Sequence, residues 1–179
     1  SLQQAFAARC REGDVDQFDF HIVAGEVGKT LCKYARFTDL VMLPLNHPPG
    51  DRPIDRLESG LRTLIRSCPL PILTVPGPSF NINRAILAYD GSPKAKEAMY
   101  IAAYISGQWN THLTVLTSSQ GLANPKSIQH EAQSYLSGYH ISADFQLTDR
   151  SIPKEIKQKK DLEEIDLVLI GGYGTAPVL

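Results

Sequence analysis

The sequence predicts an α/β protein of doubly wound parallel sheets, present as two tandem copies of a five-stranded domain, both incomplete in this chain. Apolar strands alternate with helical segments along the chain, an order that gives parallel sheets with right-handed crossovers. One strand, Thr38–Leu45, contains a continuous apolar run, as expected when helices cover both faces. The segments Asp39–Met42 and Asp166–Leu169 match, and each follows a helix and an earlier strand. Repetition at domain length indicates two copies of one fold rather than a solenoid.

The first copy is predicted to run from residue 1 to residue 77. Phe18–Ala24 alternates apolar and polar side chains as a half-buried strand does. Arg56–Ser67 is amphipathic, with Leu57, Leu61, Leu64 and Ile65 along one face. The predicted helices are Leu2–Arg11, Val27–Arg36 and Arg56–Ser67, and the predicted strands are Phe18–Ala24, Thr38–Leu45 and Pro71–Val75.

The second copy is predicted to span residues 78–179. The boundary lies at Pro76–Ser79, because two prolines around a glycine suit neither a helix nor a central strand. Pro93 and Pro153 stand where a proline is tolerated in a first helical turn, and Ser92 is a favourable N-cap. The predicted strands are Arg84–Tyr89, Leu113–Thr117, Ile141–Leu147 and Leu167–Ile170, and the predicted helices are Pro93–Ser106, Ser127–Gly138 and Pro153–Glu164.

The composition of the chain argues against nucleic acids and membranes as partners. The chain has 179 residues and a net charge of -1, without the clustered basic face that nucleic acids require. The densest lysine run, Lys154–Lys160, is interrupted by Glu155 and reads as a solvated helix face. No apolar run reaches the roughly 20 residues of a membrane span, and no secretory signal begins at Ser1. We therefore expect a cytoplasmic protein that neither binds nucleic acid nor inserts into a membrane.

Two strand ends in the second copy carry the candidate site. One apolar strand ends in Tyr89-Asp90-Gly91-Ser92 and another in Gly171-Gly172-Tyr173-Gly174. Ligands of open parallel sheets bind at the carboxyl ends of the strands, where backbone N–H groups are unpaired. A carboxylate suited to a ribose and a glycine turn suited to a phosphate indicate a nucleotide site. The same residues also suit an ordinary turn and a helix cap, and both interpretations stay open.

The sequence does not indicate a phosphate-binding loop of another type, a catalytic motif or a metal site. Gly25–Thr30 ends like a phosphate-binding loop, but Val23 occupies the position of its first glycine. Neither a nucleophile elbow nor a zinc-protease motif occurs, so we predict no enzymatic activity. The histidines are scattered, and Cys10, Cys32 and Cys68 are too widely spaced for a metal site. We expect these cysteines to be small buried hydrophobes in a reducing compartment.

The motifs together resemble the universal stress protein family. Ala85–Ser92, followed by small residues on the next helix, resembles the opening of such a domain. Asp166–Gly174 resembles its fourth strand and the start of its nucleotide motif, Gly-x-x-Gly followed after nine residues by Gly-Ser or Gly-Thr. In the first copy, Cys68–Pro71 falls on the usual Cys-Pro-x-Pro.

The resemblance implies ATP, with or without Mg²⁺, bound between the first and fourth strands of the second copy. The distal Gly-Ser or Gly-Thr of the motif would lie beyond Leu179. By position, Asp90 would hold the ribose, Ala88 and Tyr89 would offer backbone to the adenine, Ser118 would line the adenine pocket, and Ile170, Gly171 and Gly174 would form the phosphate turn.

The first copy departs from this pattern. Pro44 and His47 occupy its glycine positions, and Glu58 replaces the distal glycine. Proline lacks an amide donor and a carboxylate repels phosphate, so we expect this copy to bind no nucleotide and to act as a pairing partner. The function expected is a nucleotide-responsive regulatory module that self-associates, as a tandem pair or a homodimer. The alternative is a structural or dimerisation module without nucleotide, such as the cytoplasmic tail of a transporter.

Overall fold

The computed structural model describes residues 1–44, 60–75, 82–162 and 165–172. The chain divides into two compact units. Of the described residues, 1–41 and 60–71 belong to the first unit, and 42–44, 72–75, 82–162 and 165–172 to the second. Within this part of the chain, no helix has both the length and the apolar character needed to cross a membrane.

The first unit contains three described helices, α1 (Leu2–Glu12), α2 (Val27–Ala35) and α3 (Gly60–Ser67). Ser1 begins α1 with a capping box, in which its side chain accepts from the Gln4 N–H. Helices α2 and α3 pack together, and Ala35 and Leu64 are buried there. Ile65, predicted on the apolar face of its helix, is 41% exposed. Of these two neighbouring residues, Leu64 is therefore the one that packs against α2.

The predicted strand Phe18–Ala24 is wrong, because the structure shows no strand between residues 15 and 24. The alternation of side chains is present, but most of these residues are exposed and no described strand pairs with them. A strand needs a hydrogen-bonded neighbour, which a local pattern cannot provide. The next strands along the chain, β1 (Val41–Pro44) and β2 (Ile72–Val75), pair as a two-stranded sheet.

The second unit contains a four-stranded sheet in the order β5-β4-β3-β6, and every neighbouring pair is parallel. This confirms the α/β parallel-sheet fold class. The elements in chain order are β3 (Arg84–Ala88), α4 (Pro93–Trp109), β4 (His112–Ser118), α5 (Pro125–Gly138), β5 (Ala143–Thr148), α6 (Ile152–Leu162) and β6 (Leu167–Ile170).

The core of the second unit lies between the sheet and helices α4 and α5. Alternate residues of β3, Ala85 and Leu87, meet small residues of α4 such as Ala95 and Ala102, all at most 2% exposed. Alanines let the helix backbone approach the strands closely. Helix α6 packs against β4, and its right-handed crossover from β5 to β6 places it on the opposite face.

Several predictions lie outside the described residues. They are the boundary at Gly77, the ends of three elements at Leu45, Arg56 and Glu164, the first-copy residues His47 and Glu58, and the site residue Gly174. The division into tandem copies at residues 77 and 78 stays a prediction.

Candidate functional site

The sheet reverses its winding between β3 and β6. From β3 the chain steps outward to β4 and then β5, and it returns across the sheet to form β6 on the other side of β3. Ala88 and Ile170, the last residues of β3 and β6, are register partners. In open α/β sheets the carboxyl ends of such a pair of strands border a crevice, which is called here the crevice between β3 and β6. Ligands of open α/β sheets bind at such a switch point.

On one side of the crevice is the turn Asp90-Gly91-Ser92. The Ser92 N–H donates to Asp90 Oδ1 at 2.9 Å, and the Ala95 N–H donates to Ser92 Oγ at 3.2 Å. Gly91 has a φ of 78°, a left-handed conformation that favours glycine. The turn therefore leads from β3 into α4 and caps that helix, as Ser92 and Pro93 predict. Asp90 is exposed, and its carboxylate retains capacity for further donors.

On the other side, Gly171 lies against the first turn of α4. A Cβ atom added to it would stand 2.5 Å from the Ala95 nitrogen and 2.6 Å from the Lys94 carbonyl carbon. Only glycine allows backbone to approach so closely. The end of β6 and the Asp90 turn thus converge on the N-terminus of one helix, where partial positive charge favours anions.

Ala88 is the last residue of β3, and Tyr89 directly follows it. Both are buried, and the Tyr89 N–H donates to the Leu116 carbonyl oxygen at 3.0 Å. Because that donor is already paired, the Tyr89 backbone offers a ligand its carbonyl oxygen rather than its N–H.

The Tyr89 side chain belongs to the core beneath the site. Its hydroxyl is buried and has no hydrogen-bond partner among the described residues. Burial, followed by the nearby carboxylate of Glu131, raises the pKa of Tyr89 to about 12. A buried hydroxyl of this kind could not be anticipated from sequence, because tyrosine suits a strand end whether or not its oxygen finds a partner.

Ser118 is turned toward β5. Its Oγ donates to the Arg150 carbonyl oxygen at 2.8 Å and accepts from the Gln120 N–H at 3.2 Å. The hydroxyl therefore ties the end of β4 to the loop after β5. Beside it lies an open pocket of about 330 Å³, which the sequence analysis did not identify, lined by Gln120, Asp149, Arg150, Ser151 and Lys154.

The structure thus brings five of the predicted site residues to the carboxyl ends of β3 and β6, namely Ala88, Tyr89, Asp90, Ile170 and Gly171. Ile170 is 48% exposed at the edge of the sheet. Ser118 lies at the same end of the sheet, but its hydroxyl is engaged one strand further away. In the described part of the chain, no group of three or more His, Cys, Asp or Glu residues could hold a metal ion.

These features define an α/β protein with a parallel sheet whose switch point lies between β3 and β6. No family model matches the chain, and a search of curated proteins found no match. Solved structures do match. A universal stress protein from Archaeoglobus fulgidus DSM 4304 is similar over 98% of this chain and 69% of its own, with a TM-score of 0.75 and 12% identity.

Two further structures match about half of the chain. A protein from the universal stress protein family of Burkholderia pseudomallei covers 50% of this chain and 81% of its own, with a TM-score of 0.43 and 13% identity. A universal stress protein in complex with cAMP covers 54% and 80%, with a TM-score of 0.43 and 15% identity. The extensive match to the first structure shows that this chain has the universal stress protein fold. The resemblance drawn from its motifs is confirmed at the level of the fold.

Proposed function

We propose that the second unit binds ATP in the crevice between β3 and β6, and that the chain is a nucleotide-responsive regulatory module of the universal stress protein type. One observation carries the proposal. The Asp90 turn and Gly171 come from neighbouring strands and meet at the first turn of α4, at the point where the sheet reverses its winding.

Each part of the crevice suits one part of the nucleotide. The exposed Asp90 carboxylate can accept hydrogen bonds from both ribose hydroxyls. The carbonyl oxygens of Ala88 and Tyr89 can accept from the adenine amino group. The phosphates would lie at the start of α4 beside Gly171, where the helix dipole favours negative charge. With or without Mg²⁺, the proposed role is binding rather than catalysis.

The regulatory step follows from where the ligand binds. A nucleotide that contacts the ends of both strands stabilises the conformation in which their loops lie together, and it shifts the protein toward that conformation. A partner that recognises these loops would then distinguish the loaded form from the empty one. We extend the proposal to a cytoplasmic setting and to self-association through domain pairs, with the first copy binding no nucleotide.

The test is calorimetric titration of ATP into wild type and into two matched variants. Asp90→Asn removes the charge but keeps an oxygen that can accept from the Ser92 N–H, so the turn survives. Asp144→Asn removes another exposed carboxylate, one at the amino end of β5 that lies 3.1 Å from His112. Hydrogen bonds to a charged group contribute about 1.5–3 kcal/mol, so Asp90→Asn should weaken binding by about tenfold or more.

Asp144→Asn should bind ATP as wild type does. Equal affinity of wild type and Asp90→Asn would overturn the assignment of the ribose to Asp90. Thermal unfolding of each variant without ligand shows whether a loss of binding reflects a loss of fold.

A structural module without nucleotide is the second candidate, and two observations favour it. Asp90 already has a role in the turn before α4, and Gly171 is already required by its contact with that helix. In a structural module, self-association would cover two apolar side chains of β6, Val168 and Ile170, which are 37% and 48% exposed. Folded wild type that shows no heat of ATP binding and no thermal stabilisation by millimolar ATP would favour this candidate.

A further inference from the structure

Two cysteine thiols meet within the first unit. Cys32 lies in the last turn of α2, and Cys68 directly follows α3, where its N–H donates to the Leu64 carbonyl oxygen at 2.8 Å and continues the helical pattern. The packing of α2 against α3 places the two side chains next to each other, close enough for Cys68 to raise the pKa of Cys32. The thiols were expected to be buried, but both are half-exposed and free.

We infer that Cys32 and Cys68 form a thiol–disulfide switch that responds to small-molecule disulfides such as oxidised glutathione. The inference is independent of nucleotide binding, because both residues belong to the first unit. Disulfides of reducing compartments are usually transient and redox-sensing, and a half-exposed pair of neighbouring thiols suits that role.

The reaction balances with one oxidised glutathione. One protein thiol loses its proton to solvent, and the thiolate attacks a glutathione sulfur, so a mixed disulfide forms and one glutathione thiolate leaves. The second protein thiol also loses its proton and attacks the protein sulfur of the mixed disulfide, which releases the second glutathione. Two protein thiols are oxidised to one disulfide, and one glutathione disulfide is reduced to two thiols.

Burial and neighbouring groups determine whether the thiols are protonated at rest. Burial raises the pKa of Cys32, and the adjacent Cys68 raises it further, whereas the positive charge of Arg36 acts in the opposite direction. The resting pair is therefore protonated, and attack on an oxidant should become faster as pH rises. Proximity of the two thiols then favours closure of the internal bond over a second glutathione adduct, because the packed helices keep the resolving thiol nearby.

The disulfide would act on the fold of the first unit. It would join α2 to the residue that follows α3, three residues before Pro71, whose carbonyl oxygen accepts from the Val41 N–H at 3.0 Å. The bond would therefore constrain the helix pair close to this backbone hydrogen bond within the first unit. Oxidation should stiffen this region and raise its resistance to unfolding.

The test exposes the folded chain to glutathione buffers of increasing oxidised fraction, traps thiols by alkylation and maps peptides by mass spectrometry. We expect a Cys32–Cys68 linked peptide, whereas Cys10, a half-exposed thiol on α1, should form only a glutathione adduct. Cys10→Ser should leave the internal bond unchanged. Cys32→Ser should convert Cys68 to a glutathione adduct, and Cys68→Ser should do the same to Cys32.

The oxidised protein should also unfold at a higher temperature than the reduced protein, and this difference should vanish in Cys32→Ser and in Cys68→Ser. Separate glutathione adducts on Cys32 and Cys68 would overturn the inference. So would a linked peptide that forms only in denaturant, or equal unfolding temperatures of the oxidised and reduced wild type.

Discussion

Replacing Gly171 by alanine tests the geometry on which the crevice depends. The added Cβ would stand 2.5 Å from the Ala95 nitrogen, 2.6 Å from the Lys94 carbonyl carbon and 2.8 Å from the Lys94 carbonyl oxygen, whereas ordinary contact begins at 3.4 Å. All three atoms belong to the backbone of the first turn of α4, so no side-chain rotation can relieve the overlap. Either the end of β6 or the start of α4 must move.

Overpacking of this kind typically costs about 1–3 kcal/mol, which lowers the melting temperature of a domain of this size by roughly 5–15 °C. Gly172→Ala is a matched control, because its Cβ would have only the Lys94 Cδ nearby, at 4.0 Å. Gly172→Ala should stabilise the fold by up to about 1 kcal/mol, since alanine lowers the conformational entropy of the unfolded chain. Thermal unfolding followed by circular dichroism compares the two. Equal melting temperatures for both variants would refute the close approach of β6 to α4.

Two further substitutions test the surroundings of the crevice. Tyr89→Phe removes a buried hydroxyl that has no partner among the described residues, so it should leave stability at neutral pH unchanged or raise it by about 1–2 kcal/mol. In the folded protein the pKa of Tyr89 is about 12, above its ordinary value of 10.0. The free energy of unfolding of wild type should therefore fall by about 1–2 kcal/mol relative to that of Tyr89→Phe between pH 8 and pH 11. Urea titrations at both pH values measure this difference. A difference between the two proteins that stays constant with pH would contradict the burial of this hydroxyl. Ser118→Ala removes one donated and one accepted hydrogen bond, so it should lower the free energy of unfolding in urea by about 1–2 kcal/mol. An unchanged urea midpoint would show that the hydrogen bond to Arg150 does not stabilise the fold.

The elements of the second unit could be predicted because their signals are local. Ser92 and Pro93 mark the start of α4, and the apolar run of Arg84–Ala88 marks a strand covered on both faces. The convergence of Asp90 and Gly171 also followed from sequence, since carboxyl ends of parallel strands share one edge of the sheet. What could not be predicted is why Gly171 is glycine, because its neighbours are backbone atoms of a helix more than 70 positions earlier in the chain.

Other features depend on contacts that no local pattern reports. Phe18–Ala24 alternates like a strand, but a strand forms only beside a neighbour. The Ser118 hydroxyl donates to the Arg150 carbonyl oxygen, 32 positions away, and so links the end of β4 to the loop after β5. Its place in an adenine pocket stays a prediction. Cys32 and Cys68 meet because two helices pack together, although their spacing in the chain suggested no relation. Each of these outcomes was decided by packing.

Hydrogen exchange of the backbone amides, measured with and without millimolar ATP, locates the ligand on the chain. Binding at the switch point predicts that ATP slows exchange in residues 88–95 and 170–172, on both sides of the crevice between β3 and β6. It also predicts little change at Gln120 and residues 149–154, which line the separate polar pocket. Protection confined to that pocket, or no protection anywhere, would contradict a nucleotide site at the switch point of the sheet.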